Sequence, residues 1–211
     1  MYIYITQLVN IVHNLYNPVA GILRELGIEV IEGVGQTGLV GLIQGQAGPG
    51  ACVGLRSDMD GLSVIEAPSI YNSEYISSNK RMHACGHDGH MSMLLAAAKV
   101  LQSERHLLKG TIKLIFQPNE ENVVGARAQI KDGILEEGKG LGPRVDEMYG
   151  IHLMAAGEVG TVVVKDGPLM AASDRFKVTI TGNGNTTQPN TKITLITLIT
   201  LITQNVYLFS S

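Results

Sequence analysis

The chain has 211 residues, 45% hydrophobic and 17% charged, enough for one good core and part of a second. A net charge of -3 and a pI near 6.1, with Lys and Arg scattered singly, exclude the basic field that a nucleic-acid or anionic-membrane partner needs. Two cysteines, Cys52 and Cys85, are too few for a disulfide framework; Cys85 stands among histidines as a ligand or reactive thiol does, which favours a reducing, cytoplasmic compartment.

Met1 to Tyr16 is apolar but broken by Gln7, Asn10, His13 and Asn14 and has no basic start, so it does not read as a signal peptide. No apolar run approaches the roughly 18 to 20 residues that cross a bilayer. Val19, Ile22, Leu23 and Leu26 recur at helical spacing and Gly27 stops the run, predicting a helix over Pro18 to Leu26. Ile28 to Ile31, Gly38 to Gln44 and Ala51 to Arg56 are short, apolar or β-branched, and bounded by glycines, as buried strands are. His90 to Gln102 reads as a strong helix, Thr111 to Gln117 as a buried strand, Ala126 to Asp132 as a helix ended by Gly133, and Glu147 to Leu153 as a strand. This alternation predicts an α/β fold with a mixed, largely parallel sheet flanked by helices. Past Gly160, Thr161 to Lys165 and Arg175 to Thr181 alternate like half-exposed antiparallel strands around Gly167-Pro168, as if a different sheet begins. Ile193 to Thr203 is a Thr-Leu-Ile triplet repeat matching neither the strand nor the helix period, and it is not read as evolved structure.

Chemistry concentrates between Met82 and His90, where His83, His87 and His90 stand with Cys85 and Asp88 just before a helix. Thiolate and imidazole are first-choice ligands for zinc and its neighbours, and a glycine between Cys85 and His87 lets both turn onto one ion; the bland reading is a polar loop with a surface thiol. At the end of the next strand come Glu120 and Glu121, on the edge where open α/β sheets bind ligands. Adjacent carboxylates point different ways, so one can coordinate a metal while its neighbour takes a proton from water, although such pairs are more often solvated surface charge. His152 falls inside an apolar strand run, where a lone histidine is more often a satisfied core residue. Asp58 and Asp60 end a third strand, fit to orient ligands or simply a turn. The glycines from Gly33 to Gly38 lack the lysine of a phosphate loop and read as turns.

In this order the four elements resemble the hippurate and indoleacetyl-amino-acid amidohydrolases, relatives of aminoacylase and the co-catalytic metallo-carboxypeptidases, from about Pro18 to Gly184. The resemblance implies a zinc-peptidase-like catalytic domain over 1–172, the start of a smaller α+β lid or dimerisation domain over 173–184, and an aberrant low-complexity tail over 185–211. It implies hydrolysis of N-acyl-amino-acid amides with two divalent ions, zinc, manganese or cobalt. Cys85, His87, Glu121 and His152 would be the metal ligands, Cys85 able to bridge both ions, and Glu120 the general base. Asp58, Asp60, His83, Asp88 and His90 would stand behind them. Full-length relatives pair as homodimers through the lid and continue past Gly184 into a glycine-histidine segment, the rest of the lid and a last ligand histidine. The expectation is therefore a truncated member with an open sheet edge. Two rivals are a non-catalytic remnant and a cysteine hydrolase with Cys85 as nucleophile, the latter blocked by thiol alkylation and indifferent to chelators.

Overall fold

The computed structural model describes residues 17–69, 76–155 and 158–170, with the backbone of 178–181 and 192–195. Helix α1 spans Asn17–Glu25 and buries Val19, Ala20 and Leu23 along one side. It leads into strands β1 (Glu29–Val34) and β2 (Gly38–Gln44), which pair antiparallel across a tight turn. Strand β3 covers Cys52–Asp58, helix α2 His87–Ser103, strand β4 Thr111–Gln117, helix α3 Gly125–Asp132 and strand β5 Glu147–Gly150.

These strands form one five-stranded sheet in the order β1-β2-β4-β3-β5. β2 runs antiparallel to β4, whereas β3 runs parallel to both β4 and β5. The sheet is mixed, with its parallel character confined to β4-β3-β5: a short turn joins β1 to β2 and forces antiparallel pairing, while the connections carrying α2 and α3 are long enough for parallel crossovers. One consequence decides where chemistry can occur. The C-terminal ends of β3, β4 and β5 all open on the same edge.

Both faces of the sheet are apolar, so its central strands are near-continuous hydrophobic runs. On one face Leu39, Ile43, Leu114 and Phe116 pack against Val19 and Leu23 of α1 and Met91, Leu94 and Leu95 of α2. Val40, Leu42 and Ile115 turn the other way, onto Val34, Ile134 and Leu141. Lys113 lies fully buried on that second face, its ammonium donating to the carbonyls of Ile134 at 2.9 Å and Pro143 at 2.6 Å.

Several boundaries differ from the sequence expectation. α2 starts at His87 rather than His90, because Gly86 adopts φ +81° and lets the chain enter the helix directly after Cys85. β5 stops at Gly150, so His152 follows the strand instead of lying within it, and β5 is an exposed terminal strand. Thr161 to Lys165 forms no strand; every valine in it is well exposed, with no packed face to stabilise a ladder. Part of the triplet repeat does pair: β7 (Lys192–Leu195) runs antiparallel to β6 (Val178–Thr181). Over four residues a triplet repeat is compatible with strand alternation. Met1 to Tyr16, Arg175 to Lys177 and the rest of the tail lie outside the described residues. The chain divides into two compact units, 1–156 and 157–210; the first holds the five-stranded sheet and the second the β6-β7 pair. Among the described residues no helix is long and apolar enough to cross a membrane.

Candidate metal centre

The shared edge of β3 and β4 meets the first turn of α2 at His87, whose side chain is 1% exposed. Its Nδ1 lies 2.9 Å from the carbonyl oxygen of Asp60 and 3.3 Å from the Asp60 carboxylate. Both are acceptors, so Nδ1 carries the proton and Nε2 the lone pair. That Nε2 is buried without a hydrogen-bond partner. Around it stand Asp58 Oδ2 at 3.6 Å, Glu120 Oε2 at 3.8 Å and Glu121 Oε1 at 3.8 Å. Atoms coordinating one tetrahedral zinc at ordinary bond lengths lie about 3.4 Å apart, so the ring of oxygens is close to ligand spacing and too wide for direct hydrogen bonds.

Cys85, His87 and Glu121 bring one donor atom each within 4.8 Å of one another. Cys85, half-buried, places its Sγ 3.7 Å from Nε2 of His152. The His152 Nδ1 donates to the carbonyl of Leu153 at 2.6 Å, again leaving Nε2 as the lone-pair nitrogen, facing the thiol. A second group of the same compactness, Asp58, His87 and His90, is less suited to a cation. Both His90 nitrogens are already used: Nδ1 donates to Asp58 Oδ1 at 2.7 Å and Nε2 accepts the Leu153 N–H at 2.8 Å. His90 thus has no ring nitrogen left over for a cation in this arrangement.

The loop that delivers Glu120 and Glu121 is tightly constrained. Asn119 and Val123 both have positive φ, 51° and 60°, which for β-branched Val123 is a strained conformation. Gly125 closes the loop against β4; a Cβ there would come within 1.5 Å of the Pro118 carbonyl oxygen. The Glu121 N–H donates to Asp60 Oδ2 at 3.1 Å, tying the β4 loop to the β3 loop.

Burial and carboxylates set the titration of the site. Burial pushes the Glu120 carboxyl above its usual range, with Asp58 adding to it. Burial also raises the Cys85 thiol, reinforced by Glu121, Glu120 and Asp58. Burial works against ionising Asp58 and Asp60, yet both are held below the ordinary range, Asp58 by His90 and Arg56 and Asp60 chiefly by His87. Burial lowers His87, but Asp60 and Asp58 outweigh it and the net shift is upward. Arg56 pairs with Asp58 at 2.9 Å, and a divalent cation held by Cys85, His87 and Glu121 is the charge that would turn thiol and imidazole into ligands.

Of the residues singled out in the sequence, Cys85, His87, Glu120, Glu121 and His152 converge here, with Asp58 and Asp60 against His87 and His90 against Asp58. His83 reaches the same Asp60 carbonyl as His87, at 3.1 Å. Asp88 accepts the N–H of Gly89 at 2.9 Å in the first turn of α2. Sequence reasoning missed Arg56, which donates from Nη1 to Asp58 Oδ2 and from Nε to Gln117 Oε1, both at 2.9 Å. The sign available for it was a cation two residues before Asp58 on the same strand face.

Comparison with known proteins gives consistent results. A sequence model of Peptidase family M20/M25/M40 matches residues 54–206. Thermostable carboxypeptidase 2 of Saccharolobus solfataricus is 44% identical over 170 residues, covering 79% of this chain and 40% of the carboxypeptidase. Hippurate hydrolase of Campylobacter jejuni is 40% identical over 167 residues, covering 79% of this chain and 41% of the hydrolase. In structure the chain is similar to the YXEP protein of Bacillus subtilis, described as a dinuclear metal binding peptidase from M20 family, with a TM-score of 0.72 and 32% identity over 86% of this chain and 52% of the other. The chain thus spans about 40% of the length of the curated relatives it matches.

Proposed function

Because this chain belongs to peptidase family M20/M25/M40, we propose that its Cys85, His87, Glu121 and His152 cluster holds two divalent metal ions and hydrolyses the amide bond of N-acyl amino acids. The observation that carries this reading is the buried lone pair of His87 Nε2, without a hydrogen-bond partner and ringed by carboxylate oxygens at 3.6 to 3.8 Å. Two relatives support the substrate class and the metal count, the hippurate hydrolase and the dinuclear B. subtilis peptidase. Zinc, manganese and cobalt all suit a donor set of one thiolate, two imidazoles and a carboxylate.

Bound there, the ions would supply Lewis-acid polarisation of the amide carbonyl and increased acidity of water. The rest falls to the chain's own side chains. Glu120 is 39% exposed, so it reaches both the ligand cluster and entering solvent, and its raised pKa brings its basicity toward the working pH. It takes the proton of the attacking water and returns it to the leaving nitrogen as the amide bond breaks. Asp60 holds His87 in the ligating tautomer through its carbonyl and fixes the Glu121 backbone through its carboxylate.

We assign the catalytic domain to 1–172, the beginning of a lid to 173–184 and a low-complexity tail to 185–211, with a cytoplasmic location, and keep homodimers formed through the lid for full-length relatives. The test is hydrolysis of a panel of N-acyl amino acids by this chain with and without chelator. Chelator-sensitive turnover supports the reading, and turnover untouched by chelator contradicts it. A second reading draws on the 3.7 Å between Cys85 Sγ and His152 Nε2, the spacing of a loosely held thiol-imidazole nucleophile pair. The raised thiol pKa disfavours it; hydrolysis abolished by alkylation yet indifferent to chelator would favour it.

A further inference from the structure

Resting on the metal-site reading above, we propose that His90 is the positioning residue of the centre: it anchors the chain after β5 by its backbone, and so sets His152 against Cys85. The last residue of β5 held by the sheet is Gly150, paired with Arg56. His152 lies two residues further, on an exposed extended segment with no ladder to fix it. What holds that segment is the Leu153 peptide. Its N–H donates to His90 Nε2 at 2.8 Å, and its carbonyl accepts from His152 Nδ1 at 2.6 Å. The Leu153 side chain sits over the first turn of α2, where a Cβ on Gly89 would come within 2.2 Å of Leu153 Cδ1.

The anchor is itself rigidly held. His90 is 3% exposed, and its Nδ1 donates to Asp58 Oδ1 at 2.7 Å. Arg56 braces Asp58 Oδ2 and is bonded in turn to Gln117 at the end of β4. A peptide N–H can only donate, so His90 accepts at Nε2 and is neutral, with its one proton on Nδ1. The path Gln117, Arg56, Asp58, His90, Leu153 links the ends of β4 and β3, the start of α2 and the segment after β5. The His90 and His152 rings also meet edge to face, 4.5 Å between centroids. Partners that orient metal ligands in this way typically change metal affinity by about 10- to 100-fold when removed.

The test compares His90→Phe with His90→Gln. Phenylalanine keeps an aromatic ring beside His152 but deletes both hydrogen bonds; the glutamine amide carries a donor and an acceptor about as far apart as the two imidazole nitrogens. Each protein is titrated with cobalt(II), following the thiolate-to-cobalt absorption that reports Cys85. His90→Phe should weaken binding about 10- to 100-fold, and His90→Gln should recover most of that loss. A His90→Phe protein that binds as wild type does, or a His90→Gln protein no better than His90→Phe, would overturn the inference. Amide exchange at Leu153 in the metal-free wild type is an independent readout that needs no variant to fold. Protection supports the anchor and free exchange refutes it. A wild type that gives no cobalt absorption would sink the metal reading, while the exchange result still decides the anchoring claim.

Discussion

His87 and Cys85 titrate in a direction that links metal uptake to proton release. Both have pKa values raised in the metal-free chain, after burial and neighbouring carboxylates are weighed, and a metal takes the deprotonated form of each. Metal affinity should therefore climb as pH rises, and binding should release the Cys85 proton plus, below the raised His87 pKa, a His87 proton. Calorimetry in buffers of different ionisation enthalpy measures that release. Stability of the metal-free chain should move the other way: His87 contributes stability fully present below its unfolded value of 6.5, and that contribution is lost as pH rises through the higher folded pKa. At Glu120, replacement by Gln keeps the shape and removes the base; kcat should fall about 100- to 10,000-fold with metal content unchanged, as single-turnover assays and elemental analysis would show. Much of this residue set was legible in the sequence because its chemistry is locally dense, with two donors flanking Gly86 and two carboxylates side by side. The Leu153 peptide was not, since its partner His90 lies far off in sequence, and Arg56 showed only its spacing to Asp58, its bond to Gln117 needing β3 and β4 side by side.

The elements that present these residues depend on contacts no periodicity reveals. The strands and helices of the sheet were legible from apolar runs and glycine stops, whereas the end of β5 was not: Glu147 to Leu153 remains apolar beyond the point where Arg56 stops pairing with it. Gly125 is the tightest constraint on the Glu120-Glu121 loop. Gly125→Ala should push Pro118 away, costing about 1–3 kcal/mol in stability and weakening metal binding with it, measurable by denaturant unfolding and metal titration on one preparation. Lys113, a cation in the middle of a strand that reads as wholly buried, fastens the loop carrying Ile134 and Pro143 to the sheet. Lys113→Met would take the ammonium from the buried Ile134 carbonyl and the part-buried Pro143 carbonyl. Unfolding free energy should drop by about 1–3 kcal/mol, with the site geometry intact and metal affinity little changed.

At the scale of the whole molecule, the mixed sheet sets three strand ends on one edge and so brings together the candidate ligands from positions 85 to 152. The α/β class and that edge could be read from the order of elements alone. That the sheet is mixed could be read as well; that only β4-β3-β5 pair in parallel could not, because the antiparallel pairing of β2 with β4 joins strands far apart in the chain. Among the described residues the sheet ends at β5, with Met148 and Tyr149 in the strand and Ile151 and Met154 just after it open to solvent, an edge that is itself a template for further pairing. Metal content of the purified chain by elemental analysis tests most directly whether the cluster at the C-terminal ends of β3, β4 and β5 is a metal centre. Divalent metal that survives dialysis in wild type and is lost in both Cys85→Ser and His87→Ala is the predicted result. A wild type that retains no metal, and whose thermal midpoint is unmoved by added zinc, manganese or cobalt, would contradict it.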